Sequence, residues 1–387
     1  MEGKIKKVGL VVMGNISVGG GYPKVAYDLS SVLKKIGKEV YILTPFELDY
    51  NEINNLYGPI KLERVYNPGR IKKIFCITDS VRRRLMKKEF QKMAKEVDFI
   101  IDLSGGVFDR YLPKGFKREN YVIWGISLPP CRDWSWISVK NLKRNIKEII
   151  KNIFISKRDL PAKDIKIYPV DEWTFNAIVE KCGLNPEKEF LYPLIKVEDL
   201  LYKGRKKRNQ ITILGRIDPF KRIEDSIQIF FQGTKKYPNY DLVIIGGTTP
   251  ESKEYIKHLE KIISDLGIKS KIRIIKNPPF NEIKTELLNS KIVIDSQSAT
   301  NLTITSIEAM AAGNIVLVNR NGGTFTGVLE NGKYGYGFRN IEEGAKILEN
   351  LLERLKNNQI NVKEYIKRAK FFSEENFTSK LRKILNN

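Results

Sequence analysis

Ile304-Thr-Ser-Ile-Glu308-Ala-Met-Ala-Ala-Gly313 decides the fold, together with the chain on either side of it. Before it come an apolar, β-branched run, Ile292-Val293-Ile294-Asp295, and a polar loop from Ser296 to Asn301. After it come a second apolar run, Ile315-Val316-Leu317-Val318, and the turn Asn321-Gly322-Gly323. The order is strand, loop, helix, strand, glycine turn, which is how a parallel α/β layer is written. Small residues after Glu308 let the helix lie close to a sheet. Its first N–H groups lack partners within the helix and form the positive dipole end, which suits a phosphate. Glu308 sits within the first turns, where a carboxylate can accept hydrogen bonds from ribose hydroxyls.

The same alternation runs along the whole chain. Strands are expected at Val8–Val12, Val40–Thr44, Phe99–Leu103, Tyr121–Trp124 and Ile153–Ser156 in the first half. In the second half they are expected at Ile211–Leu214, Leu242–Ile245, Lys271–Ile275, Ile292–Asp295 and Ile315–Val318. Each set builds one doubly wound sheet, and 387 residues are enough for two domains. The charged stretch Lys203-Gly-Arg-Lys-Lys-Arg208 marks the link between them. In open sheets of this kind ligands bind beyond the carboxyl ends of the strands. Gly19 to Gly21, Ser104 to Gly106, Arg216 to Lys221, Gly246-Gly247 and Leu302-Thr303 all follow expected strands and would face one cleft. That shared position favours ligand contact over a plain turn for Gly20, Gly21 and Gly246.

Glu308-Ala-Met-Ala-Ala-Gly313, followed by a strand and Asn321-Gly-Gly, resembles the donor site of retaining GT-B glycosyltransferases, glycosyltransferase family 4 and its relatives. Two further segments carry the resemblance. Gly215-Arg216-Ile-Asp-Pro-Phe-Lys221 is similar to the family's G-R-x4-K element, and Gly19-Gly20-Gly21 to its glycine-rich first loop. The resemblance implies a GT-B fold of two Rossmann-like domains, with an acceptor domain at 1–196 and a donor domain at 197–369. A C-terminal helix at 370–387, with Phe371, Phe372 and Phe377, would pack back on the first domain. It also implies sugar transfer from a nucleoside-diphosphate donor to a hydroxyl acceptor, with retention, no metal and no cofactor. Arg216 and Lys221 would stabilise the leaving diphosphate, because fixed cations favour a group that gains negative charge. The amides around Leu302 and Thr303 would assist them, and Glu308 would hold the ribose. Lys276 and Asn277 would form part of the base pocket. Asn321 to Gly323 either lines the diphosphate or closes a turn.

The chain departs from the family pattern in places. Thr300 stands where the first acid of the E-x7-E pair is expected, which would alter sugar preference. Leu302-Thr303-Ile304 replaces the usual Phe-Gly-Leu. Gly125 to Ser127 stand where a histidine is usual. These departures motivate the competing reading, an inert GT-B scaffold that serves as a binding or partner subunit.

Composition excludes much else. The single histidine, His258, lies on a charged helical face, which excludes histidine metal centres and Ser-His-Asp chemistry. Cys76, Cys131 and Cys182 are far apart and are read as buried thiols. No run is long enough to span a bilayer and no secretory segment follows Met1, so the expected location is cytoplasmic. The net charge of +23 points to polyanionic partners. Nucleic acid ranks last, since no aromatic-basic motif is present. An anionic membrane surface ranks higher. One basic amphipathic helix runs from Ser80 to Val97, with Val81, Leu85, Phe90, Met93 and Val97 on one face and Arg82, Arg83, Arg84, Lys87 and Lys88 around it. A second runs from Val139 to Ile153, and its apolar face is read as core. Trp134 and Trp136 precede it, with acceptor contact, membrane contact and burial all open. The expected acceptor is a lipid-linked or surface-glycan precursor at the inner face of a membrane.

Overall fold

A computed structural model describes residues 5–69, 79–106, 108–128, 160–249 and 252–386, with side chains at 79–83 left aside. The chain divides into two compact units, Met1–Tyr192 with Phe377–Asn387, and Pro193–Asn376. Each holds one six-stranded sheet in which every pairing is parallel.

In the first unit the strands are β1 (Lys7–Val11), β2 (Glu39–Leu43), β3 (Arg64–Tyr66), β4 (Phe99–Asp102), β5 (Tyr121–Gly125) and β6 (Lys166–Pro169). Their order across the sheet is β3-β2-β1-β4-β5-β6. The chain works outward from β1 in one direction and then returns to its other side, so the order reverses between β1 and β4. The central strands are buried on both faces by helices and therefore read as continuous apolar runs. At the reversal, Asp102 ends β4 fully buried. Its Oδ1 accepts the Ser104 N–H at 2.7 Å, and its Oδ2 accepts the Tyr121 hydroxyl. Burial and the adjacent Asp102 charge push the Tyr121 phenol well above its usual range.

The helix Asp79–Glu96 is part of this core. Met86, Phe90, Met93 and Ala94, with Val97 just beyond, are buried among sheet residues, and the Met93 side chain lies over Gly9 on β1. Leu85, expected on that face, is 46% exposed. The face moved because Met86 rather than Leu85 continues the spacing of Phe90, Met93 and Val97 toward the sheet. Arg84, Lys87 and Lys88 are exposed. Trp134, Trp136, the Val139–Ile153 helix and the Ile153–Ser156 strand lie outside the described residues. Cys182 is disulfide-bonded, which corrects the free-thiol reading; its partner lies outside the described residues.

The second unit contains β7 (Gln210–Leu214), β8 (Asp241–Gly246), β9 (Ile272–Lys276), β10 (Ile292–Asp295), β11 (Ile315–Asn319) and β12 (Tyr336–Phe338). The order β12-β11-β10-β7-β8-β9 repeats the plan of the first, with the reversal between β7 and β10. Ile211, Ile213, Ile244, Ile292, Ile294 and Leu317 from the sheet pack with Ile227, Phe230, Leu348 and Leu352 from helices Ile223–Gly233 and Ile341–Lys356.

Lys207, in the charged stretch before β7, is a tether. Its ammonium donates to the carbonyls of Ser290 (2.6 Å) and Ala312 (2.7 Å) and to Asn314 Oδ1 (3.2 Å). Those carbonyls follow helices Phe280–Asn289 and Ile304–Ala311, whose dipoles favour a cation at that end. Burial, aided by the Arg205 charge, pulls the Lys207 pKa down to about 7. The C-terminal region is two helices, Lys363–Lys370 and Glu374–Asn386, rather than one. Phe371, between them, is 39% exposed, whereas Phe377 is buried and stacks on Trp124 with ring centroids 5.4 Å apart. Among the described residues no helix is long and apolar enough to cross a membrane.

Two stability predictions follow from these contacts. Lys207→Met leaves the Ser290 and Ala312 carbonyls without this donor and should cost about 2 kcal/mol in urea denaturation at pH 7. The unfolded chain keeps the lysine proton to about pH 10, whereas the fold releases it near 7. Wild type should therefore gain stability relative to this variant as pH rises through that window. Gly246 lies against the β7 end so closely that a Cβ there would sit 1.7 Å from the Gly215 carbonyl oxygen. Gly246→Ala should force the ends of β7 and β8 apart and lower stability by about 3 kcal/mol, read as a shifted denaturation midpoint with unchanged slope.

Candidate functional site

The second sheet offers its crevice where the order reverses, at the carboxyl ends of β7 and β10. The loop after β7 is set by its sequence. Gly215 takes φ +150°, a backbone conformation that favours glycine. Asp218 accepts the Phe220 N–H at 3.0 Å, and Pro219 begins the short turn Pro219–Lys221. Arg222, at φ 48°, then leads into helix Ile223–Gly233. This turn folds Lys221 back toward the sheet. A Cβ on Gly215 would lie 2.7 Å from Lys221 Cε, and Lys221 Nζ is 3.7 Å from Asp295 Oδ2 at the end of β10. The Lys221 side chain is only 15% exposed and its ammonium makes no hydrogen bond among the described residues. Arg216 differs: its side chain is 56% exposed, with Nε 3.2 Å from Asp218 Oδ2.

On the β8 and β9 side, backbone contacts join the loops. The Ile217 N–H donates to the Gly247 carbonyl, and the Asn277 N–H to the Gly246 carbonyl, both at 2.9 Å. Asn277 adopts φ 51°, and its Oδ1 accepts the Thr248 N–H at 2.8 Å. Its side chain thus fixes the β8 loop. Lys276 ends β9 and is exposed.

On the β10 side, the loop from Ser296 to Thr303 is laced to the loop after β11. Thr300 pairs with Gly322 in a parallel bridge, and the Gly323 N–H donates to the Thr300 carbonyl at 2.8 Å. Asn321 to Gly323 therefore closes a turn against Thr300 by its backbone. Leu302 is buried. Thr303 precedes helix Ile304–Ala311 without capping it through its side chain. Its N–H donates to Thr324 Oγ1 at 2.9 Å, and its hydroxyl contacts Ser306 Oγ at 2.8 Å and Thr324 Oγ1 at 3.0 Å. The expected Thr303 amide is thus at the helix start, with a partner already in place. Glu308 lies in the second turn of the helix and is half-buried. Behind Thr324, the Arg368 guanidinium holds the next turn by donating to the carbonyls of Gly327 (2.6 Å) and Val328 (3.0 Å).

The carboxyl edge of this sheet therefore carries Arg216, Lys221, Gly246, Lys276, Asn277, Thr300, Leu302 and Thr303, with Glu308 one turn further on. Gly20 and Gly21 belong to the first unit. There Gly20, at φ 148°, precedes the helix Gly21–Lys35 that follows β1. His258 is an exposed helix residue beside Tyr255. Sequence reading missed Asp295, Thr324, Ser306 and Thr248. Asp295 alone left a signal, an acid closing an otherwise apolar strand. Thr324 and Thr248 act through contacts distant in the chain, and Ser306 through the Thr303 hydroxyl three residues before it.

Residues 202–371 match the family Glycosyl transferases group 1. A GDP-Man:Man(3)GlcNAc(2)-PP-Dol alpha-1,2-mannosyltransferase of Xenopus laevis is 22% identical over 206 residues, covering 50% of this chain and 42% of its own. The matched stretch is thus less than half of that relative's length. A trehalose synthase of Pyrococcus horikoshii is 23% identical over 389 residues, covering 97% of this chain and 87% of its own. Among solved structures, Anabaena HepE in complex with UDP and glucose superposes with a TM-score of 0.67 at 14% identity, over 98% of this chain and 99% of its own. The chain has the GT-B fold of two parallel six-stranded sheets, and the stretch that matches Glycosyl transferases group 1, residues 202–371, lies within its second unit.

Proposed function

We propose that the chain transfers a sugar from a nucleoside diphosphate to a hydroxyl acceptor, with retention at the anomeric carbon and without a metal. The observation that carries this is the Lys221 ammonium, confined at the β7–β10 crevice with its donors unused. A diphosphate oxygen is the natural acceptor for it, and Arg216 on the same loop, with Nε 3.2 Å from Asp218 Oδ2, supplies a second, more exposed cation. The anion meets the start of helix Ile304–Ala311, where the Thr303 N–H exchanges its Thr324 partner for phosphate. Glu308 accepts hydrogen bonds from the ribose, and the Gly246 and Lys276–Asn277 loops border the base. The acceptor oxygen bonds to the anomeric carbon as the bond to the diphosphate oxygen breaks. The acceptor proton passes to the departing diphosphate, so no histidine base is required. Positioning and charge stabilisation supply the rate.

The relatives support the class of donor. One carries GDP-Man in its name, and a structural neighbour binds UDP and glucose. A screen of UDP-, GDP- and ADP-sugars in the presence of EDTA should find turnover with one of them. Arg216→Ala and Lys221→Ala should each lower kcat by about a hundredfold, the usual effect of removing one fixed donor from a developing anion. Full activity in both variants would remove these residues from the mechanism. No binding of any nucleoside diphosphate would favour the inert scaffold.

The acceptor reading is a lipid-linked glycan precursor at an anionic surface. It is supported by the net charge of +23, the exposed Arg84, Lys87 and Lys88, and the Man(3)GlcNAc(2)-PP-Dol in the name of one relative. In flotation assays the protein should rise with anionic vesicles at about 0.05 M salt and stay behind at about 1 M, where screening shortens the Debye length to about 3 Å. Equal behaviour with neutral vesicles would leave a soluble acceptor.

A further inference from the structure

We infer that Asp295 is a positioning residue that holds the Lys221 ammonium in place for the nucleoside diphosphate. This rests on the reading of Lys221 given above. Asp295 closes the apolar strand β10 and is only 6% exposed. Its Oδ1 accepts the Gln297 N–H at 3.1 Å. Its Oδ2 is buried and has no hydrogen-bond partner among the described residues. A buried carboxylate oxygen without a donor is strongly unfavourable unless a cation stands near it. Lys221 Nζ, 3.7 Å away, is that cation.

The distance matters. At 3.7 Å the two groups attract as charges without a hydrogen bond, so the ammonium keeps its three N–H groups for a second anion. The stem is confined as well, because Lys221 Cε passes over the bare Cα of Gly215. Lysine is ordinarily a flexible point charge. Between the Gly215 backbone and the Asp295 carboxylate, its freedom is restricted before any ligand arrives. Lys221 also stands between Asp295 and the incoming diphosphate, so it masks one anion from the other. Removing Lys221 exposes that repulsion, which gives Asp295 opposite effects in the two backgrounds.

Calorimetric titration of the full chain with UDP and GDP tests this in wild type, Asp295→Asn, Lys221→Ala and the double variant. Asn keeps the shape and the acceptor for Gln297. Asp295→Asn alone should weaken binding about fivefold, and Lys221→Ala at least about tenfold. In the Lys221→Ala background, Asp295→Asn should instead tighten binding, because the exposed carboxylate is gone. A loss of the same size in both backgrounds would show a merely structural residue and overturn the inference. So would tighter binding by Asp295→Asn alone. If Lys221→Ala leaves both affinities unchanged, the reading of the site itself fails, and the inference with it. Should Asp295→Asn not fold, Asp295→Glu keeps the charge. Affinity within about twofold of wild type then supports the role, and a loss beyond about tenfold overturns it.

Discussion

A parallel sheet wound outward from a central strand must send its loops apart on either side of that strand, and the rest of this structure depends on that constraint. In the second unit the parting falls between β7 and β10. Both strand ends point their loops at the same crevice, yet the loops belong to different halves of the sheet. Among the described residues the gap is crossed by an ion pair, from Lys221 on one side to Asp295 on the other, and by a buried hydrogen bond between the Ser226 and Ser296 hydroxyls at 2.6 Å. On the far side of β7 the backbones close up so tightly that Gly246 has no room for a side chain. The β8 flank of β7 is closed by backbone, whereas the β10 flank is joined by side chains, among them the Lys221 that the proposed donor site uses.

The charge of the chain divides in the same way between cations that geometry holds and cations that it does not. Lys207 is fixed on the carbonyls beyond two helices, Arg368 on the turn after Thr324, and Lys221 between Gly215 and Asp295. Arg84, Lys87, Lys88 and Lys276 are exposed, and cations of that kind contribute field more than contact. Function in the proposed site is assigned to the first class, with Arg216 between the two.

The fold was legible where strands are buried on both faces. β1, β2, β4, β5, β7, β8, β10 and β11 announce themselves as apolar β-branched runs, and each lies within a residue or so of its expected limits. The strands that escaped notice are β3, β6 and β12, which lie at sheet edges. They have three or four residues, and β6 ends in Pro169 while β12 contains Gly337, so neither length nor apolar content marked them. The site was legible as a set of loops, because topology fixes where loops after strands must lie. Its internal wiring was not. Nothing in the sequence near Thr303 names Thr324 as the partner of its amide, twenty-one residues further on. The apolar face of the Asp79–Glu96 helix was readable in outline, but a one-residue shift from Leu85 to Met86 separates an exposed stripe from a core one.

The Thr303–Thr324 bond has a mechanical consequence. If phosphate takes the Thr303 amide, the Thr324 hydroxyl keeps the Thr303 hydroxyl, 3.0 Å away, as its partner. Thr324 opens the turn Thr324–Val328, whose far end is gripped by Arg368 from the helix Lys363–Lys370. The Lys363–Lys370 helix also packs directly on helix Ile304–Ala311, so one element braces both the helix that Thr303 opens and the turn that Thr324 opens.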